Sequence, residues 1–134
     1  MPDIAYFDNK YKEKAPWDLN IVEPLLIEWL EKYNIIPCLT IDIGCGSATD
    51  SIYMADKGFN IIAIDSSELA YNKAKEKTKE KNNIIVIHKN FLELNTEPNK
   101  ISFAYDRGMW QHNSNEKGIE IAIKIHSLLK EDGL

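Results

Sequence analysis

The segment Ile41-Asp42-Ile43-Gly44-Cys45-Gly46 constrains this chain more than any other. With Leu39 and Thr40 it forms a short, mostly apolar run that ends abruptly in Gly-x-Gly. A run this short and rich in β-branched residues reads as a buried strand, since a helix needs roughly 10–12 residues. Glycine lets the backbone turn tightly and approach another group closely. Thr49 to Asp56 then reads as a short helix closed by Gly58 as its C-cap. Strand, glycine turn and helix in succession are the building block of a parallel sheet.

The same alternation runs through the rest of the sequence. Asn60–Asp65, Ile84–His88 and Ile101–Asp106 read as further strands. Helices are predicted at about Leu19–Lys32, Leu69–Lys79 and Lys117–Lys130, the second with N-cap oxygens from Ser66 and Ser67. In the first of them Ile21, Leu25, Leu26, Trp29 and Leu30 fall on one stripe, with Pro24 close to its start. Strands that are apolar throughout imply a sheet covered on both faces. The expected fold is an α/β parallel sheet with helices on both sides. Residues 1–17 hold Tyr6, Phe7, Tyr11 and Trp17 among polar residues without a clear period.

Length and composition narrow the function. The 134 residues suffice for one domain, 1–134, and 44% hydrophobic content can build a core. No apolar stretch reaches the roughly 20 residues of a membrane span, and the N-terminus lacks a signal-peptide pattern, so a cytoplasmic protein is expected. The net charge of −5 argues against nucleic acid as a partner. Cys38, Cys45 and three scattered histidines lack the spacing of a disulfide framework or a metal site.

Three acidic residues stand where strands end. Asp42 lies two residues before Gly44, where a carboxylate can hold an ammonium group. Asp65 ends the second strand, nineteen residues beyond Gly46. In nucleotide-binding α/β domains a carboxylate at about that distance accepts ribose hydroxyls, although Asp65 could also simply cap the next helix. Thr49 occupies the third position of Gly-x-Gly-x-x-Gly, which disfavours a nicotinamide dinucleotide. Asp106 ends the fourth strand, where it could orient an acceptor or take its proton, or instead bond local backbone or pair with Arg107. His112 reads as structural rather than as a base.

These motifs resemble the class I S-adenosylmethionine (SAM)-dependent methyltransferases. Asp42-Ile43-Gly44-Cys45-Gly46 is similar to that family's first motif and Ile64-Asp65 to its second, while Asn90-Phe91 stands where the family usually has an acid and an apolar residue. The resemblance implies a Rossmann-like fold in which Gly44 and Gly46 cradle the methionine part of SAM. Asp42 and Asp65 then take the ammonium and the ribose, Ser66 and Phe91 flank the base, and the Asn90 amide, a departure from the family's acid, can bond the adenine amino group. Pro16-Trp17-Asp18 and Asp106-Arg107-Gly108 are similar to segments of the thiopurine methyltransferase-like branch. That likeness implies an N-terminal segment, 1–17, that closes over the cofactor with Trp17 near the sulfonium, a cation that suits an aromatic face.

The resemblance implies methyl transfer to a nitrogen, sulfur or oxygen of a small molecule, with Asp106 catalytic. The aromatic residues near the site suit an aromatic or amine-bearing acceptor, for which Tyr6, Tyr11, Arg107 and Trp110 are the candidate contacts. The alternative is a non-catalytic module that binds SAM or S-adenosylhomocysteine and acts through a partner chain. The family normally has seven strands, so the expected sheet is truncated after strand four and its helix. An exposed fourth strand and surplus apolar residues on the last helix lead to an expected homodimer.

Overall fold

The computed structural model describes residues 3–134. Four strands, β1 (Leu39–Ile43), β2 (Asn60–Asp65), β3 (Ile84–His88) and β4 (Phe103–Asp106), form one sheet in the order β3-β2-β1-β4. Every pairing is parallel. The helices are α1 (Ile4–Lys12), α2 (Pro24–Lys32), α3 (Thr49–Asp56), α4 (Glu68–Thr78) and α5 (Asn115–Leu128). Short 3-10 turns follow β3 at Phe91–Glu93 and β4 at Trp110–His112. The fold is the α/β, Rossmann-like sheet expected from the sequence.

Both faces of the sheet are buried. Leu26 and Leu30 of α2 and Met54 and Ala55 of α3 pack with Phe59, Ile61, Ala63, Phe103 and Tyr105 on one side. Ile121 and Leu128 of α5 pack with Ile41, Ile43, Ile64, Phe91 and Ile101 on the other. Of the surplus apolar residues on α5, Ile119 and Ile123 lie at the surface. Among the described residues no helix is long and apolar enough to cross a membrane.

Two expectations are corrected. The segment 1–17, of which residues 1 and 2 lie outside the described residues, shows no clear period in sequence yet holds a helix. Asp3 caps a nine-residue helix by accepting the Tyr6 N–H, and its side chains pack on α4 rather than on the sheet, which blurs the apolar period. The helix expected from Leu19 begins instead at Pro24. Pro24 fixes the first helical position and holds Glu23 extended, so Ile21 falls outside the helix and Leu25 and Trp29 are exposed. The regular part of β4 begins at Phe103, with Ile101 bridged in parallel to Leu129.

Candidate active site

Register brings the carboxyl ends of three strands to one line. Ile43 lies opposite Ile64 on one side and Asp106 on the other, so Gly44, Asp65 and Arg107 come level at the sheet's carboxyl edge. In the order 3-2-1-4 the connections after β1 and β4 run to opposite faces of the sheet, α3 to one and α5 to the other, and open parallel sheets bind ligands at such a switch point. A cavity of about 780 Å³ occupies it. Its floor is the glycine loop with Asp42, Asp50 and Asp65, and residues of the N-terminal segment roof it, among them Phe7, Tyr11, Trp17 and Ile21.

The two glycines meet steric demands. Gly44 has φ +70°, and a β-carbon there would come within 2.8 Å of the Met109 β-carbon. Gly46 has φ +55°, and its β-carbon would lie 2.8 Å from the Tyr11 hydroxyl. A left-handed backbone under close neighbours on both counts selects glycine. Gly44 and Cys45 both donate their N–H groups to the Ile64 carbonyl, which pins the loop to β2. Cys45 itself packs against the core.

The acidic residues are held differently. Asp65 accepts the Gly46 N–H at 2.9 Å on Oδ2 and the Ser67 N–H at 2.9 Å on Oδ1. Burial pushes its carboxyl above the usual range, while those two N–H groups oppose the shift. Asp42 is only 2% exposed and accepts the Ser51 hydroxyl at 2.6 Å. Burial raises its pKa to about 7 against the pull of Ser51, and the neighbouring Asp50, Asp106 and Asp65 charges add to the rise. Asp106 accepts the Met109 N–H at 2.9 Å and the Trp110 N–H at 3.1 Å, so both its oxygens order the turn after β4.

A strap formed by α1 and residues 13–23 is fastened over the cavity at four places. Asp8 accepts the Ser67 hydroxyl at 2.5 Å. Asp18 accepts the Ser47 hydroxyl at 2.5 Å and pairs with Lys73 at 3.0 Å. Burial raises the Asp18 carboxyl, but Ser47 and Lys73 outweigh it and hold it below the ordinary range. Lys77 joins Asn20 at 3.0 Å to Thr49 at 2.8 Å. Arg107 pairs with Glu23 at 3.1 Å, donates to the Ile21 carbonyl at 3.2 Å and reaches Asp50 at 3.4 Å. Asp50 is buried and also accepts the Tyr105 hydroxyl and the Glu23 N–H, each at 2.9 Å.

Of the residues singled out from the sequence, Tyr11, Trp17, Asp42, Gly44, Gly46, Asp65, Ser66, Asn90, Phe91 and Arg107 line this one cavity. Asp106, Tyr6 and Trp110 are not among its walls. Asn90 caps the turn after β3, its Oδ1 accepting the Leu92 N–H at 3.0 Å. Phe7, Asp50 and His112 were not singled out as site residues and do line it. Edge-to-face contacts chain Tyr11 to Trp17, Trp17 to Phe7 and Phe7 to His112, with centroids 6.1, 6.0 and 5.6 Å apart.

Comparison with known proteins decides the family. The family described as "Methyltransferase domain" matches residues 40–133, which covers most of the chain. The chain belongs to this methyltransferase-domain family. Among curated methyltransferases, a ribosomal protein L11 methyltransferase of Campylobacter lari is 43% identical over 53 residues, 40% of this chain and 19% of that protein. Among solved methyltransferases, the Burkholderia thailandensis 1,6-didemethyltoxoflavin-N1-methyltransferase superposes with a TM-score of 0.84 at 20% identity, over 97% of this chain and 57% of that one. The magnesium protoporphyrin IX methyltransferase of Synechocystis PCC 6803 superposes with a TM-score of 0.74 at 17% identity, over 96% of this chain and 73% of that one. This methyltransferase domain thus spans about a fifth of its curated relative and just over half of the toxoflavin enzyme.

Proposed function

We propose that the chain is a SAM-dependent methyltransferase acting on a nitrogen, sulfur or oxygen of a small molecule. The observation that carries this reading is the cavity at the carboxyl edge, where two bare left-handed glycines lie beside Asp42 and Asp65. Its volume is in the range of small-molecule sites. The residues fit the cofactor group by group. A carboxylate offers about four lone-pair sites. Asp65 therefore keeps acceptor capacity for ribose hydroxyls beyond its two backbone bonds, and Asp42 keeps capacity for an ammonium beyond Ser51. Phe91 and Ser66 would border the base, and Asn90, whose oxygen caps the turn, keeps its amide N–H donors available to it. Trp17 on the strap offers an aromatic wall to the sulfonium.

Bound SAM supplies a methyl group already activated by its sulfonium. The protein's part is to align an acceptor with that methyl group and exclude water, which positioning alone can accelerate greatly. The strap supplies the exclusion and the aromatic residues Phe7 and Trp17 supply the acceptor wall. For the acceptor's proton we favour His112 over Asp106. Both oxygens of Asp106 already accept backbone N–H groups, and the residue is off the cavity wall. The His112 ring lines the cavity with its edge contact to Phe7, and among the described residues no hydrogen bond engages its nitrogens.

The combination of Pro16-Trp17-Asp18 with Asp106-Arg107-Gly108 supports placing the chain near the thiopurine methyltransferase-like branch, and soft acceptors follow from that. An acceptor screen covering thiols, amines and phenols, read by release of S-adenosylhomocysteine, tests the reading. Turnover with at least one class is expected. Tight binding of SAM with no turnover of any class would favour the non-catalytic module instead.

A further inference from the structure

Helix α2 is apolar on two sides. Leu26 and Leu30 are buried in the core against the sheet. Leu25, Trp29 and Tyr33 recur every fourth residue and form a second column at the surface, with Ile21 before it and Ile36 after it. These five side chains are between 39% and 67% exposed. A helix with apolar residues on more than one side is ordinarily buried on more than one side. Together the five leave on the order of 600 Å² open, which is most of the roughly 800 Å² that each partner covers in a standard interface. Tyr and Trp are also the side chains that interfaces favour.

The occupant that fits this face is a second copy of the chain. A two-fold contact presents the same patch on both copies and lays α2 antiparallel to its counterpart. Centred on Trp29, it sets Trp29 against the partner's Trp29 and Leu25 against the partner's Tyr33. Glu28 and Lys32, both exposed, flank the column together on one side of the helix. Antiparallel pairing brings each Glu28 within a turn of the partner's Lys32, whereas parallel pairing would set like charges side by side. Other surfaces suit a second copy less. The outer edge of β4 is engaged by the chain itself, since Leu134 donates to the Ser102 carbonyl at 3.0 Å and accepts the Ala104 N–H at 2.8 Å. On α5 the exposed large apolar side chains are only Ile119 and Ile123. We infer that α2 is a homodimer interface, in which two copies pack antiparallel through Leu25, Trp29 and Tyr33. The homodimer expected from the sequence is thereby moved from β4 and α5 to α2. Its consequence reaches the site, because Ile21 lines the cavity and its carbonyl accepts from Arg107. The partner's Tyr33 and Ile36 fall at Ile21, so each copy backs the strap wall of the other.

Sedimentation velocity of the whole chain, read across a concentration series, tests this without cofactor or acceptor. The wild-type protein is expected to sediment as a dimer of the 15.4 kDa chain at high micromolar concentration. Trp29→Ala is expected to weaken that dimer about a hundredfold, since the interface loses the ring twice. Glu28→Lys and Lys32→Glu change exposed positions. Each alone is expected to weaken the dimer about tenfold by setting like charges together, and the two combined to restore wild-type association. Circular dichroism establishes that every variant is folded. A folded wild-type monomer at high micromolar concentration overturns the inference and assigns the face to a different partner. A dimer that Trp29→Ala leaves unchanged overturns it as well, and places the contact elsewhere. Failure of the double reversal to restore association overturns the antiparallel arrangement on which the inference rests.

Discussion

The backbone N–H of Gly46 donates to Oδ2 of Asp65 at 2.9 Å, across nineteen residues of sequence. This bond joins the glycine loop after β1 to the carboxylate that ends β2, and Ser67 N–H holds the other oxygen. Asp65→Ala is expected to weaken S-adenosylhomocysteine binding more than tenfold, because ribose hydroxyls and two backbone N–H groups lose one acceptor together. Asp106→Ala is expected to leave that affinity closer to wild type while loosening the turn at Met109 and Trp110. Parallel titrations of the two variants check the contrast.

The sheet and the glycine loop were legible because their signals are local. Apolar runs mark β1 to β4, and Gly44, Gly46 and Asp65 sit within single strand-turn units. A closing N-terminal segment was implied by the resemblance, but its fastenings were not legible, because they join residues far apart in sequence. Asp8 meets Ser67, Asp18 meets Lys73, and Arg107 meets Glu23. No periodicity marks such pairs. The role of Asp106 was left open for the same reason, since only the fold shows two backbone N–H groups converging on it. The local signals for α1 are the Asp3 cap and the lysines of its last turn, Lys10 and Lys12.

Gly46→Ala is expected to abolish cofactor binding, since its β-carbon would meet the Tyr11 hydroxyl and the backbone at φ +55° disfavours any side chain. Combining it with Tyr11→Phe removes the oxygen that clashes but not the backbone strain. The double variant is therefore expected to regain part of its thermal stability over Gly46→Ala alone. No gain, measured by differential scanning calorimetry, would show that the hydroxyl is not the limiting contact.

Asp42 gives the protein a pH signature. Burial raises its pKa to about 7, against about 3.9 for an unfolded aspartate. Between those values the folded chain binds more protons than the unfolded one, so this group's contribution to stability falls as pH rises through the window. Ligand ammonium needs the ionised form, so cofactor affinity should rise over the same window with release of a proton. Asp42→Asn should flatten both trends. Ser51→Ala removes the bond that favours the charged form and should move the affinity rise to higher pH. Titrations in buffers of different ionisation enthalpy count the released protons.

Arg107 fastens the strap through Glu23 and the Ile21 carbonyl. Arg107→Ala frees Ile21 and Glu23 and leaves the buried Asp50 carboxylate with fewer partners. Because the arginine side chain is 37% exposed, the expected loss is about 1–2 kcal/mol, less than for a fully buried pair. Faster proteolysis within residues 13–23, at unchanged cleavage elsewhere, would mark the opened strap. Uniform sensitivity across the chain would instead indicate global destabilisation.

The account's central claim is that the cavity at the ends of β1, β2 and β4 is a SAM site. Isothermal titration of the folded protein with S-adenosylhomocysteine tests it most directly. One-to-one binding with Kd on the order of micromolar, without added metal and abolished by Gly46→Ala, is the result expected. No heat from either S-adenosylhomocysteine or SAM at millimolar concentration, with a wild-type protein shown to be folded by circular dichroism, would contradict it.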